Sequence, residues 1–385
     1  MLPLGLYIHL PWCVRKCPYC DFNSHARRDA VPEDDYVTAL TADLEAILPQ
    51  VWGRPVASVY FGGGTPSLFS ADAIGRIVAM ARARLMLAPD CEITLEANPG
   101  TVEHDRFEGY RAAGVNRISL GVQSFDNDML QRLGRIHDGS QAQAAIAAVR
   151  QAGFDNFNID LMHGLPGQAP AQALADVRQA LEFAPPHLSH YQLTIEPNTA
   201  FAASPPVLPD DDALSDIQDE AHELLATTGY DNYEVSAWAQ PGRQARHNLN
   251  YWLFGDYLGI GAGAHGKITD LATGAITRYA RKRHPQAYLR AVADGEWNAD
   301  VSQPSTDDLR FEYFFNGLRL RRGVSLAALK ERTGLNLSQV EPALAEAEQR
   351  GLLERADDHV RATDLGWRFM NDLQALFLPE RGPNG

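Results

Sequence analysis

Along the first 230 residues, short runs of β-branched and aromatic residues alternate with longer stretches whose apolar positions recur at helical spacing. The short runs predict strands at Leu4 to Leu10, Val56 to Phe61, Glu92 to Ala97, Arg117 to Gly121, Asn156 to Asp160 and His187 to Ile195. The longer stretches predict helices at Glu33 to Leu48, Ala71 to Leu85, Val102 to Ala113, Ser140 to Ala152, Pro170 to Phe183 and Asp210 to Thr228, several opened by Pro, Ser or Asp. Six strand-helix units in succession imply an α/β fold built on a parallel sheet. Right-handed crossovers would curl such a sheet into a partial (β/α)6 barrel of the TIM type, with functional groups at the carboxyl ends of its strands.

After Tyr230 the alternation lapses, and a Gly- and aromatic-rich stretch from Tyr233 to His265 leads to a different texture from Ser305 onward. That last part reads as helices at Asp307 to Leu320, Ser325 to Thr333 and Ser338 to Arg350, a polar hairpin at Leu352 to Arg361, and a final helix at Asp364 to Leu378. This is the order of a C-terminal, mainly helical, winged-helix-like domain. The expected division is a core domain over 1–235, a connecting segment over 236–304, the winged-helix-like domain over 305–378 and a polar tail over 379–385.

Composition narrows the function. The 385 residues carry 34 basic and 49 acidic side chains, a net charge of -15, which repels polyphosphate and forfeits the counterion release that drives nucleic-acid binding. The third helix of the last domain is acidic where a DNA reader would be basic, so a lid or docking role is expected and nucleic acid is not an expected partner. No stretch is apolar for the roughly 18 residues a transmembrane segment requires. Met1 to Trp12 lacks a basic leader and a cleavage pattern, so a cytoplasmic location is expected. Of the four cysteines, at 13, 17, 20 and 91, three fall close together, which suits metal ligation in a reducing compartment better than a disulfide framework. Cys91 stands apart beside a predicted strand and reads as a small buried side chain.

The segment from Tyr7 to Cys20 places Cys13, Cys17 and Cys20 on one loop after the first strand in the spacing C-x3-C-x2-C. Three thiolates can hold three irons of a [4Fe-4S] cube and leave the fourth iron open. The alternative is a zinc site completed by His25 or Asp21, although zinc loops more often supply C-x2-C pairs from two places in the chain. With Tyr19 before the third cysteine, the run resembles the signature of the radical S-adenosylmethionine (radical SAM) superfamily. That resemblance implies that the amino and carboxylate groups of S-adenosylmethionine chelate the open iron, and that an electron from the cluster cleaves the sulfonium to an adenosyl radical.

Further matches follow strand by strand: Phe61-Gly62-Gly63-Gly64-Thr65-Pro66, Glu96-Ala97-Asn98-Pro99, Gly121-Val122-Gln123-Ser124 and the run beginning at Asp160. Each alone is a polar residue or tight turn ending a strand, but together they ring the expected upper face. Resemblance to the coproporphyrinogen-oxidase branch assigns S-adenosylmethionine contacts to Tyr7, Tyr19, Gly63, Gly64, Thr65, Glu96, Gln123, Arg135 and Asp160. In that assignment Arg135 pairs the ligand carboxylate, while Glu96, Gln123 and Asp160 accept hydrogen bonds from its amino group or ribose hydroxyls.

Two departures separate the chain from the oxygen-independent coproporphyrinogen III oxidases. Phe22 stands where those enzymes carry a further cysteine, and the first strand begins almost at Met1, where they carry an extension. In the other direction, His247-Asn248-Leu249-Asn250-Tyr251-Trp252 is similar to the H-N-x-x-Y-W motif of the haem chaperones of the same superfamily. It offers an imidazole to haem iron and two aromatic faces to a porphyrin, although by itself it reads as a core histidine beside buried aromatics. His265, in Gly261-Ala262-Gly263-Ala264-His265-Gly266, reads either as a second ligand or as a satisfied loop residue. The expected function is a haem chaperone that carries haem as cargo to apo-haemoproteins such as a respiratory acceptor, with the cluster and S-adenosylmethionine serving structure or transfer. The alternative is radical decarboxylation of coproporphyrinogen III. Methyl transfer ranks last, because no accessory cysteine is available for it.

Overall fold

The computed structural model describes residues 2–27, 29–101 and 104–379. The predicted helix start at Val102 and the tail from Glu380 lie outside the described residues. Six strands, β1 Leu4–Leu10, β2 Pro55–Gly63, β3 Met86–Ala97, β4 Arg117–Gln123, β5 Phe157–His163 and β6 His187–Gln192, lie side by side in chain order. All five pairings between them are parallel. The crossovers carry α1 Glu33–Ile47, α2 Ala71–Arg84, α3 His104–Ala112, α4 Gly139–Gln151 and α5 Pro170–Glu182, and α6 Asp211–Thr227 follows β6. Ser70, Asp138 and Asp210 cap α2, α4 and α6 by accepting from backbone N–H groups of the first turn, and Pro170 opens α5 where no donor is needed.

The sheet is longer than expected. Its twelve strands are mixed, and the segment 236–304, read above as a connection, supplies five of them. After β7 Asp231–Glu234, β8 Ala237–Ala239 pairs antiparallel with β6. On the far side β9 Asp256–Ile260 adds a seventh parallel strand against β1, and β10 His265–Thr269, β11 Ile276–Arg281 and β12 Asn298–Ser302 continue antiparallel. These strands gave no clear period because they are short or poorly covered; every residue of β12 is exposed. The helix of the aromatic motif, α7 Arg246–Trp252, sits between β8 and β9.

Alternation along the parallel strands gives the sheet two unlike faces. Leu6, Ile8, Val59, Phe61, Ile93, Leu95, Ile118, Leu120 and Ile159 are buried in the core, each such side chain contributing on the order of 1.5–3 kcal/mol of burial. The opposite face is polar and in register: Tyr7 lies beside Tyr60, Tyr60 beside Thr94, Glu96 beside Ser119, Ser119 beside Asn158 and Asp160 beside Ser189.

The C-terminal unit runs helix Thr306–Gly317, strand Val324–Ser325, helices Leu326–Thr333 and Glu341–Gln349, and the hairpin Leu353–Ala356/His359–Ala362, forming a separate three-stranded sheet. The predicted last helix is two, Asp364–Arg368 and Met370–Ala375, broken at Phe369, which leaves helical backbone geometry. Phe254 and Ile276 of the larger unit join its core of Tyr313, Phe314, Leu344 and Phe377, and Arg319 pairs with Glu234 at 3.1 Å. Among the described residues no helix is long and apolar enough to cross a membrane.

Candidate functional site

The loop after β1 is held by its backbone. The N–H groups of His25 and Arg27 donate to the carbonyls of Pro11 and Cys13, and those of Gly64 and Thr65 donate to Leu10 and Trp12, at 2.7–2.8 Å. The loop lies so close to the end of β2 that a Cβ on Gly64 would stand 2.5 Å from the Trp12 carbonyl oxygen, while Gly63 adopts φ +118° against the His9 ring. Only glycine permits that approach.

Cys13, Cys17 and Cys20 line one cavity of about 300 Å³ together with Tyr19, Gly63, Gly64, Thr65, Glu96, Gln123, Arg135 and Asp160. Of the residues expected to contact cluster or S-adenosylmethionine, the structure thus brings all but Tyr7 together. Each sulfur has a polar neighbour: Thr65 Oγ1 donates to Cys13 Sγ at 3.5 Å, Arg135 Nη1 to Cys17 Sγ at 3.7 Å, and the Ser24 hydroxyl lies 3.7 Å from Cys20 Sγ. Burial pushes the Cys13 and Cys20 thiols up, so bare thiolates are disfavoured there until a cation faces them. Three soft donors, hydroxyl and guanidinium groups directed at sulfur, and an adjoining open volume fit a three-thiolate [4Fe-4S] site. A cube spreads its ligands over three irons. Among the described residues, no three His, Cys, Asp or Glu side chains converge closely enough to hold a metal ion. The His25 ring is turned toward Asn23 Oδ1, at 3.3 Å, and toward the His284 ring.

The acidic wall of the cavity is organised by its neighbours. Glu96 accepts from the Tyr60 hydroxyl at 2.8 Å, and burial, reinforced by nearby Asp160, pushes its carboxyl up to about 7. Burial also raises Asp160, which accepts from Asn158 Nδ2 at 2.7 Å and Ser119 Oγ at 3.1 Å. Gln123, at φ +70°, accepts from the Tyr191 hydroxyl at 2.7 Å. Arg135 Nη2 is taken up by Asn98 Oδ1 at 2.6 Å and the Gly121 carbonyl at 2.8 Å, so the guanidinium fixes the strand ends beside the cysteine loop. Ser119 and Tyr191 line the same cavity and were not singled out from the sequence; Asn98, read there only as part of the Glu96 to Pro99 run, lines it too. Asn98 and Tyr191 stand at or just past the carboxyl ends of their parallel strands, whereas Ser119 lies within β4 and is brought to the cavity by its register with Glu96.

Tyr7 and His247 stand elsewhere. Tyr7 lines a second cavity of about 550 Å³ that adjoins the first through Phe22, Gly63 and Glu96, and its hydroxyl lies 3.0 Å from His9 Nδ1. His247, expected to offer its imidazole to iron, is 2% exposed. Its Nδ1 is hydrogen-bonded to Ser58 Oγ at 2.9 Å and its Nε2 to the Tyr251 hydroxyl at 3.0 Å, and burial lowers its pKa to about 3. His247 lines neither of these two cavities. The small residues Gly5 and Ser58 on adjacent strands make room for the ring, with Gly5 leaving only 3.3 Å between its missing Cβ and the imidazole. The neighbouring motif residue Tyr251 does reach the second cavity, beside Tyr257 and His265.

A loop of three thiols above a row of parallel strands, with a polar cavity between them, defines a radical SAM fold. The family model of that superfamily matches residues 7–180, and that of the HemN C-terminal domain matches 305–369. The chain is 52% identical over 378 residues to the heme chaperone HemW of Escherichia coli (strain K12), covering 98% of this chain and 99% of that protein. It is 50% identical over 382 residues to the heme chaperone HemW of Haemophilus influenzae, covering 98% of each. A solved structure of the coproporphyrinogen III oxidase HemN from Escherichia coli, described as a radical SAM enzyme, matches with a TM-score of 0.82 at 25% identity over 98% of this chain and 90% of that one. The chain belongs to the haem chaperone family of radical SAM proteins.

Proposed function

We propose that this protein binds haem and passes it to apo-haemoproteins, respiratory enzymes among them, in a reducing compartment such as the cytoplasm. Its parallel strands would curl as a partial (β/α)6 barrel, with the C-terminal winged-helix-like unit as a docking element. Cys13, Cys17 and Cys20 would hold a [4Fe-4S] cluster, and Tyr19, Gly63, Gly64, Thr65, Glu96, Gln123, Arg135 and Asp160 would hold S-adenosylmethionine. When bound, that pair supplies one-electron chemistry at the ligand's sulfonium. The chain's own residues would present acceptor oxygens at Glu96 and Asp160 and fix the cysteine loop through Arg135.

The observation that carries the haem reading is Phe22. By the resemblance drawn from the sequence it stands where the oxidases carry a cysteine, and it is 62% exposed and lines both cavities. A large aromatic side chain so exposed beside a cavity is suited to cover a flat apolar ligand. The test is anaerobic reconstitution followed by haem titration at the Soret band. Wild type is expected to bind, and Phe22→Ala to bind about tenfold more weakly, the equivalent of roughly 1.4 kcal/mol of lost aromatic contact. No haem binding by wild type rejects the proposal, and conversion of coproporphyrinogen III with release of 5'-deoxyadenosine would favour the oxidase instead.

A further inference from the structure

The second cavity contains two histidines in opposite situations. His9 is 4% exposed and both of its nitrogens are committed: Nε2 donates to the Asn23 carbonyl at 2.8 Å, and Nδ1 accepts from the Tyr7 hydroxyl. His265, the first residue of β10, is exposed, and its ring makes no hydrogen bond or ring contact among the described residues.

The surroundings of His265 suit a porphyrin. Tyr251 and Tyr257 form one wall, their rings in edge contact at 4.6 Å, and Phe22 stands at the seam with the cysteine cavity. Arg283 lines the same cavity, is exposed, and makes no ion pair among the described residues, unlike Arg281, which is held by Asp43, and Arg278, which is held by Glu312. An unpaired guanidinium at the rim offers a fork to a carboxylate. The volume of about 550 Å³ falls within the span of small-molecule sites, roughly 300–1,000 Å³.

The backbone around His265 is fixed. Asn23 Nδ2 donates to the carbonyls of Ala262 and Arg283 at 2.9 Å, the Arg281 N–H donates to Ala264, and the Gly261 N–H donates to Asp43 and to the Tyr288 hydroxyl at 3.1–3.2 Å. A ligand presented from so braced a turn needs little ordering on binding.

We infer that His265, and not His247, is the axial ligand of the bound haem, that the porphyrin lies between Phe22 and the Tyr251–Tyr257 wall, and that Arg283 pairs one of its propionates. The assignment rests on the haem-binding reading above.

The test is haem titration of the full-length, cluster-reconstituted protein, read by Soret position, EPR spin state and Kd for wild type, His265→Ala, His265→Cys, His247→Phe and Arg283→Glu. His265→Ala is expected to lose the histidine-ligated spectrum and at least tenfold in affinity, and His265→Cys to move the ferric spectrum to that of a thiolate-ligated haem. His247→Phe retains the wild-type spectrum, and Arg283→Glu weakens binding severalfold without changing it. A wild type that binds haem while His265→Ala keeps its spectrum and its Kd within twofold overturns this assignment alone. A wild type that binds no haem overturns the haem-binding reading as well.

Discussion

Replacing Glu96 by Gln tests whether the cavity stores electrostatic cost for a ligand to relieve. The carboxyl stands at the end of β3, half-buried, with Asp160 nearby, and its pKa is raised from the ordinary 4.5 to about 7. Between those two values the unfolded chain has released a proton that the folded chain keeps, so stability falls as pH rises from about 4.5 to about 7 and stays reduced above that. At about 1.36 kcal/mol per pH unit the full cost is at most about 3.4 kcal/mol, a ceiling that solvent screening in the half-buried cavity lowers. Gln retains a carbonyl oxygen to accept from Tyr60 and removes the charge. Urea unfolding of the unliganded protein at pH 4, 7 and 9 is therefore expected to show Glu96→Gln matching wild type at pH 4 and exceeding it by about 1–3 kcal/mol at pH 9. The same variant should bind S-adenosylmethionine more weakly, exchanging function for stability. A Gln variant less stable than wild type at pH 9, or a difference that does not change with pH, would refute the reasoning.

Two further perturbations address the loops. Gly64→Ala drives a Cβ onto the backbone of Pro11 and Trp12, where the nearest atoms cannot swing aside, so iron and sulfide per chain after reconstitution should fall severalfold while far-ultraviolet circular dichroism is retained; Gly75→Ala, within α2, whose added Cβ would meet only the Ala113 Cβ at an ordinary 3.5 Å, serves as the control that keeps full iron. Asp43→Ala strips the partner from buried Arg281 at 2.6 Å and the acceptor from the Tyr288 hydroxyl at 2.7 Å, so chemical unfolding should show a loss of about 3–5 kcal/mol, and a loss below 1 kcal/mol would show that the pair is solvated.

What was legible in the sequence followed from periodicity. The six parallel strands and their helices could be read because apolar residues such as Ile8, Phe61, Leu95 and Ile159 recur on one face, and the glycine run after β2 marked a close approach of backbone. Strands β9 to β12 escaped because the pairing of Tyr257 with Lys267, or the exposed Asn298–Ser302, carries no alternation strong enough to stand out. The polar side of the sheet was only half read. Glu96 and Asp160 end their strands conspicuously, whereas Ser119 and Tyr191 matter through register with neighbouring strands, which a single strand does not display. At His247 the motif gave the residue type, but only packing shows that Ser58 and Tyr251 hydrogen-bond both of its nitrogens. The break of the last helix at Phe369 had no local breaker to announce it.

Asn23 sits three residues beyond Cys20, and its one side chain reaches two carbonyls on separate loops while its own carbonyl holds His9. It is therefore a shared strut between the metal loop and the loop of His265. Whatever free energy one occupant contributes to ordering that strut is no longer owed by the other, and thermodynamic reciprocity requires the benefit to be equal in both directions. Iron-sulfur loading should sharpen porphyrin affinity by the same factor by which porphyrin protects the iron from chelators, and Asn23→Ala should bring both factors toward one.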